Sequence, residues 1–263
     1  MSANLTNVSV TTIEVTNVSS LLQELRTRFT SDEVLWFRGQ ARSDWTLQPS
    51  LVRRNGLNME QELLSEFKQD AMPLLRGIDS HSGIANFEWD WMFLMQHYRV
   101  PTRLMDWTVQ PLVAMFFALD ESEVTAPDGA AALWALKPVE LNKAGKVITS
   151  PDWAIPLCGD HAETMPYLTS ALSTGIASRE LPPLAVTAAR RFDRIRAQGG
   201  VFTVVHKITE PLEVLNANTL VKYEIPHDAK SSIREELEVL GINEFSIYPD
   251  LDHLGRRVAR RLP

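Results

Sequence analysis

Apolar positions recur at helical spacing over several stretches of the chain and at strand spacing over others. Leu21, Leu22, Leu25 and Phe29 share one helical face behind Ser20-Leu-Leu-Gln23, which has the spacing of a capping box. Met59 to Arg76 turns Leu63, Leu64, Phe67, Ala71, Leu74 and Leu75 inward, and Phe87 to Tyr98 sets Trp91, Leu94, Met95 and Tyr98 on one side. Pro111 to Leu119 has no polar face at all, which predicts a helix in the centre of the domain, with Thr108 placed to cap it. Ser232 to Leu240, capped by Ser232 with Glu235 and stopped by Gly241, predicts another helix. Leu251, Leu254, Val258 and Leu262 predict an amphipathic one at the end.

Strands are expected at Thr11 to Val15 (an edge), at Val34 to Arg38 closed by Gly39, at Ala130 to Leu136 and at Gly200 to Lys207. Phe245 to Tyr248 reads as a short strand or turn, Ala185 to Ala197 as a basic helix, and Val100 to Thr108 as an extended segment bearing a proline. Trp45 to Val52 reads as irregular and Asp79 to Asn86 as a loop. Residues 139–183 are proline-bearing and weakly periodic, which fits either an irregular insertion or a cap over a substrate site. With no repeat, low-complexity tract or linker, residues 1–263 read as a single α+β domain.

Composition narrows the chemistry. A single cysteine, Cys158, excludes an internal disulfide, a four-cysteine zinc site and an iron–sulfur cluster. It suits a cytoplasmic protein. The opening residues lack the basic start and apolar run of a signal peptide, and no stretch has the roughly 18 apolar residues of a membrane helix. A net charge of −7 argues against attraction of the whole surface to nucleic acid and leaves room for a local basic patch. There is no P-loop, dinucleotide glycine fingerprint, zincin motif or nucleophile elbow, and no metal site is expected.

What remains is Gln96 to Leu119, where Gln96, His97, Arg99, Thr102, Arg103, Asp106 and Thr108 lie among aromatics and run into the apolar helix. Buried charges must pair with one another or with a ligand. Arg38, at the end of a buried strand before Gly39, reaches either a phosphate or carboxylate of a ligand or an internal acid such as Asp106. Gly39 permits close approach of a backbone or ligand. His97 and Tyr98 offer rings for stacking, and Arg103 and Asp106 read either as site residues or as a structural pair. Gln198 ends a helix beside the central strand. Asp250 and Asp252 begin the last helix, where acids also suit the dipole.

These segments, in this order, resemble the FRG domain family: Phe37-Arg38-Gly39; Gln96-His97-Tyr98, Pro101-Thr102-Arg103-Leu104, Asp106-Trp107-Thr108, Pro111 and Phe116-Phe117-Ala118; Gln198 with Gly200-Val201-Phe202; and Tyr248-Pro249-Asp250-Leu251. Arg99 stands where the family often has glycine after His-Tyr, and Met105 where it usually has leucine. The family is similar to distant ADP-ribosyltransferases. That implies a split, curved β core flanked by helices and clasping NAD as substrate. It implies a macromolecular acceptor (RNA, DNA or protein), an antitoxin or other regulating partner, and a role as a toxin or in defence against phage. The resemblance gives Arg38 to the NAD phosphates or ribose, Thr108 to the nicotinamide ribose and Asp250 to the ribosyl cation, with Glu244 or the Gln198 region as other sources of that last group. Gly39, His97, Tyr98, Arg103, Asp106 and Gln198 complete the implied NAD contacts. Two alternatives stay open: a non-catalytic nucleic-acid-binding module using Arg190, Arg191, Arg194 and Arg196 or Arg256, Arg257, Arg260 and Arg261, and a nuclease holding magnesium with Asp106, Asp250 and Asp252.

Overall fold

The computed structural model describes residues 9–75, 88–122, 124, 129–148, 154–173, 180–189 and 193–259. Its strands are β1 (Thr11–Glu14), β2 (Trp36–Gln40), β3 (Leu104–Thr108), β4 (Ala131–Leu136), β5 (Leu184–Val186), β6 (Gly200–Val204) and β7 (Leu220–Ile225). The helices are α1 (Val18–Arg28), α2 (Ser50–Arg53), α3 (Glu60–Leu74), α4 (Glu88–His97), α5 (Pro111–Ala118), α6 (Pro138–Gly145), α7 (Thr169–Ser173), α8 (Asp193–Ala197), α9 (Leu212–Leu215), α10 (Lys230–Val239), α11 (Glu244–Ile247) and α12 (Leu251–Ala259). No helix among the described residues is long and apolar enough to cross a membrane.

The fold is α+β. The seven strands make one open sheet in the order β1-β7-β4-β2-β3-β6-β5. β1 runs parallel to β7, and every other neighbouring pair is antiparallel. The centre of this sheet is its weakest seam. β2 is in register with β4 along its whole length, whereas β2 and β3 share only the pair Phe37↔Thr108. Beyond that pair the strands part.

Packing follows the same division. α1, α5 and α10 cover Phe37, Leu133, Ala135, Tyr223 and Ile225 on the first half. α3 and α4 cover Leu104, Phe202, Val204, Leu184 and Val186 on the second. A third cluster joins the halves, with Trp36 and Trp134 from one side and Met105, Trp107 and Val201 from the other. α5 is the central apolar helix the sequence predicts, with Val113, Ala114, Met115 and Ala118 buried. It lies almost in contact with β2 backbone: a Cβ on Gly39 would fall 2.0 Å from the Ala114 carbonyl oxygen and 2.3 Å from the Ala118 nitrogen.

Several boundaries differ from the sequence reading. α1 starts after Asn17, whose side chain accepts from the Ser20 N–H while the Ser20 hydroxyl accepts from the Asn17 N–H, so Ser20 completes the box and does not open it. β2 continues through Gly39 to Gln40, since the missing Cβ fits it under α5. Of the helix expected over Ala185 to Ala197, Asp193–Ala197 is helical, while Ala185 and Val186 belong to the buried strand Leu184–Val186, because three apolar residues carry no period that separates the two. β7 has no counterpart among the predicted elements, although Val221, Tyr223 and Ile225 alternate with Lys222 and Glu224 at strand spacing; Lys222 lies along the Trp134 ring and donates to the Ser43 carbonyl. Phe245 to Ile247 belongs to the short helix α11, capped by Asn243 with Ser246. α10 begins at Lys230 without a side-chain cap. Leu74 faces solvent, at 76 % exposure, and Tyr98 is also exposed. Residues 139–183 hold α6 and α7. The expected loop at Asp79 to Asn86 lies outside the described residues, as does Leu262.

Candidate functional site

Where β2 and β3 part, a cavity of about 380 Å³ opens between α5 on one side and α4 on the other. That is within the size range of small-molecule sites. Its walls are Phe37, Ala114 and Phe117 from the first half of the fold, Phe93 and Phe202 from the second, and Trp107 between them. Arg38 and Thr108 both line it. Thr108 belongs to the one pair that closes the seam and Arg38 follows its other member, Phe37, which is why two residues 70 positions apart in sequence share a hollow.

Arg38 spans the gap. Its Nη1 donates to the Asp106 backbone carbonyl of β3 at 2.7 Å, replacing a strand–strand hydrogen bond that the splayed backbones no longer make. Its Nε is sealed from solvent and has no hydrogen-bond partner among the described residues. Burial pulls the guanidinium pKa below its ordinary value, the Asp106 charge opposes that shift, and Arg53 adds to it by like-charge repulsion. Arginine stays protonated under any such shift, so the floor of the cavity carries a positive charge with spare donors.

Asp106 is held by its neighbours. The Thr102 hydroxyl donates to Gln96 Oε1 at 2.6 Å, which turns Gln96 Nε2 toward Asp106 Oδ2 at 2.5 Å. The Leu104 N–H donates to the Thr102 oxygen and anchors the relay to the start of β3. Asp106 is exposed to the cavity, and its Oδ1 has no partner among the described residues. Gln96 therefore positions the carboxylate on β3 that faces the seam. In the sequence Gln96 is one polar residue among several in that run, and no local pattern marks it for this part.

Thr108 lies in the wall but is fully occupied. Its hydroxyl donates to the Gln198 carbonyl at 2.5 Å and accepts from the Gln110 N–H at 3.0 Å, fixing the turn into α5. Gln198 lines the cavity, and its amide donates to the Ile247 carbonyl. His97 also lines it, with its ring edge-to-face against Tyr98. Gly39 is in the wall too, though its missing Cβ makes room for α5 and not for a ligand.

Other expected residues lie elsewhere. Arg103 is wholly buried and bound on every side. Its Nε pairs with Glu60 at 2.6 Å, Nη1 donates to the Val205 carbonyl and Nη2 to the Tyr167 carbonyl. It ties α3, the residue after β6 and the 162–167 turn together, and its partner is Glu60 and not Asp106. Tyr98 points outward and is not in the wall. Asp250 is exposed and outside the cavity. It accepts from the His253 N–H and pairs with the His253 ring at 2.7 Å, capping α12; the His253 N–H and ring hold its carboxyl below the usual range. His253 stacks on Tyr248, and Tyr248 lines the cavity, so Asp250 stands two contacts behind the wall. Glu244 is outside the cavity as well. Asp106, Asp250 and Asp252 thus do not converge, and no group of three metal-ligating side chains is gathered among the described residues. Burial pushes the Cys158 thiol well up, the direction of an inert thiol. Arg190, Arg191, Arg260 and Arg261 lie outside the described residues.

Three arginines that the sequence reading leaves out of the site line the same cavity: Arg53 and Arg54 at the end of α2, and Arg99 after α4. The pair Arg53-Arg54 before Asn55-Gly56 is its sequence signal, a basic pair at the mouth of a turn. Arg99 adopts φ 64°, so the turn that glycine favours at this point is present with arginine in it. The Val100 N–H returns to the Met95 carbonyl and the Arg99 N–H to the Gln96 carbonyl, the two bonds of a Schellman ending for α4.

Residues 33–126 match the family model of the FRG domain. That span includes Phe37-Arg38-Gly39 and the whole of Gln96 to Leu119, and ends before Gln198 and Tyr248-Pro249-Asp250. No curated protein and no solved structure matches the chain.

Proposed function

We propose that this chain, which carries an FRG domain over residues 33–126, binds NAD in the cavity at its sheet seam and transfers ADP-ribose to a macromolecule. The observation that carries the reading is the Arg38 guanidinium on the floor of an aromatic-walled cavity, with Nη2 making no hydrogen bond among the described residues, beside the positioned carboxylate of Asp106.

NAD suits these groups. Arg38 offers its charge and its Nη2 edge to the diphosphate, where a planar guanidinium outperforms a point charge. Phe117, Tyr248 and His97 supply rings for a flat nicotinamide or adenine. The bond between nicotinamide and ribose breaks, neutral nicotinamide leaves, C1′ bonds to an acceptor nucleophile, and that nucleophile gives up its proton. Positive charge builds on the ribose meanwhile, and a fixed carboxylate is typically worth a few kcal/mol there. Asp106 takes this part in place of Asp250, which is turned to α12. Thr108 acts by fixing Gln198 and the entry to α5. Action on a bacterial or phage target, under a regulating partner, belongs to the same proposal and rests on the family resemblance.

The test is incubation of the protein with labelled NAD and cell lysate, following free nicotinamide and the fate of the label. Wild type is expected to release nicotinamide and label a macromolecule. Arg38→Ala should lose NAD binding with its fold intact, and Asp106→Asn should keep binding while transfer falls by about 10²-fold or more. Labelling unchanged in Arg38→Ala removes Arg38 from the site, and no nicotinamide release from wild type overturns the reading.

A further inference from the structure

The cavity carries more positive charge than a diphosphate needs. Arg38 is on the floor, and Arg53, Arg54 and Arg99 stand at the edge, against Asp106 and Asp120. The three edge arginines are exposed, and none makes an ion pair or side-chain hydrogen bond among the described residues. They come from two separate elements, the end of α2 and the turn after α4. Arg99 occupies a left-handed backbone position where glycine is the relaxed choice, so its side chain is kept against a local cost. This concentration of cations stands out on a chain whose net charge is −7. Half-buried Trp45 lines the same opening and presents a ring.

We propose that Arg53, Arg54 and Arg99 form a rim that binds the phosphodiester backbone of a single-stranded nucleic acid, the acceptor of the reaction proposed above. Several unpaired arginines beside an aromatic ring are the chemistry that tracks a backbone and stacks a base. A single strand fits better than a duplex: the reacting floor is recessed below the rim, and a base delivered from a strand without partners avoids the cost of leaving a stack. An acidic protein surface would satisfy the charges but not use the ring. The acceptor role rests on the NAD reading; binding at the rim does not.

The experiment measures binding of a fluorescein-labelled oligothymidylate to the full chain by anisotropy over a range of salt, beside a duplex of equal length and a polyglutamate peptide. NAD binding is measured in parallel by calorimetry. Each rim contact adds about 0.7 to the slope of log affinity against log salt, so the triple variant R53A/R54A/R99G should flatten it by about 2. It should also lose at least about tenfold more affinity for the strand than for NAD, equivalent to one decade of discrimination. Single variants R53A and R99G, each lowering affinity and slope by one contact, guard against loss of fold in the triple. An unchanged slope, equal binding of duplex or polyglutamate, or no binding by wild type overturns the rim. Rim-dependent binding of the strand without NAD binding or turnover keeps the rim and overturns the transfer reading instead.

Discussion

The guanidinium of Arg38 donates to the backbone carbonyl of Asp106 across the parted strands β2 and β3. One side chain thereby closes a sheet locally and presents a charge to a cavity. Lysine retains the charge, but its ammonium lacks the planar fork that bonds the carbonyl with one nitrogen while offering others to a ligand. Arg38→Lys is expected to cost about 1 kcal/mol of stability, one ordinary hydrogen bond, and to weaken NAD binding by about 10- to 100-fold. Urea unfolding and calorimetric titration of the same sample separate the two effects. Near-native NAD affinity in the lysine variant would show that charge alone suffices.

Gly39 tests the packing beneath that arginine. A Cβ here meets the backbone of α5, which cannot rotate away as a side chain would. Gly39→Ala is expected to destabilise the fold by about 3 kcal/mol or more, at the top of the range for overpacking. The measurement is the midpoint of thermal unfolding. Survival of the midpoint would mean that α5 shifts, and the cavity wall formed by Ala114 and Phe117 should then shift with it.

Arg103 and Arg38 come from the same resemblance but do opposite work. Arg103→Ala leaves Glu60 buried without its cation, at a cost of roughly 3–5 kcal/mol. Loss of activity in this variant is expected to track unfolding, so that binding normalised to the folded fraction stays near wild type. Arg38→Ala should show the reverse pattern.

The central helix, the strand through Phe37 and the run from Gln96 to Thr108 are legible in sequence because their apolar periods are long or their polar residues sit where burial would forbid them. The part played by each polar residue is not legible. Arg38 and Arg103 both sit within short motifs in or beside strands, and only the seam between β2 and β3 decides that one meets a cavity and the other Glu60. Asp250 reads as an acid near a tyrosine, and the α12 cap that engages it depends on His253 three residues on. Arg53 and Arg54 carry no periodic signal; their place at the opening comes from how α2 is set against the sheet. Short strands such as Leu184–Val186 fail for a simpler reason, since three residues hold too little pattern.

Arg99 offers a stability change opposite in sign to its functional one. With φ 64° at the end of α4, it bears strain of about 1 kcal/mol that glycine would not. Arg99→Gly is expected to raise the thermal midpoint by about 2–4 °C, as 1 kcal/mol does in a protein of this size, while it weakens the rim. A lowered midpoint would mean that the Arg99 side chain stabilises the free protein through contacts stronger than the strain.

His206 sets the acid side of the stability profile. It is 1 % exposed, accepts from the Leu181 N–H at Nδ1 and lies edge-on to Tyr167. Burial lowers its pKa from 6.5 to about 4, with Arg103 and Lys207 adding repulsion and the Pro166 carbonyl opposing. The folded state therefore binds fewer protons than the unfolded chain between about pH 4 and 6.5. The stability from neutral His206 is complete above pH 6.5, falls as pH drops through that window, and has nothing further to lose below pH 4. A shift of this size is worth on the order of 3 kcal/mol across the window. His206→Asn keeps an acceptor for the Leu181 N–H and cannot titrate. Urea unfolding of both proteins at neutral pH and at the acid end of the window should show wild type losing about that much more than the variant. Carboxylates titrate alike in the two and cancel in the difference. Parallel profiles would mean that the ring is charged in the folded protein, and that Arg103 tolerates a cation beside it.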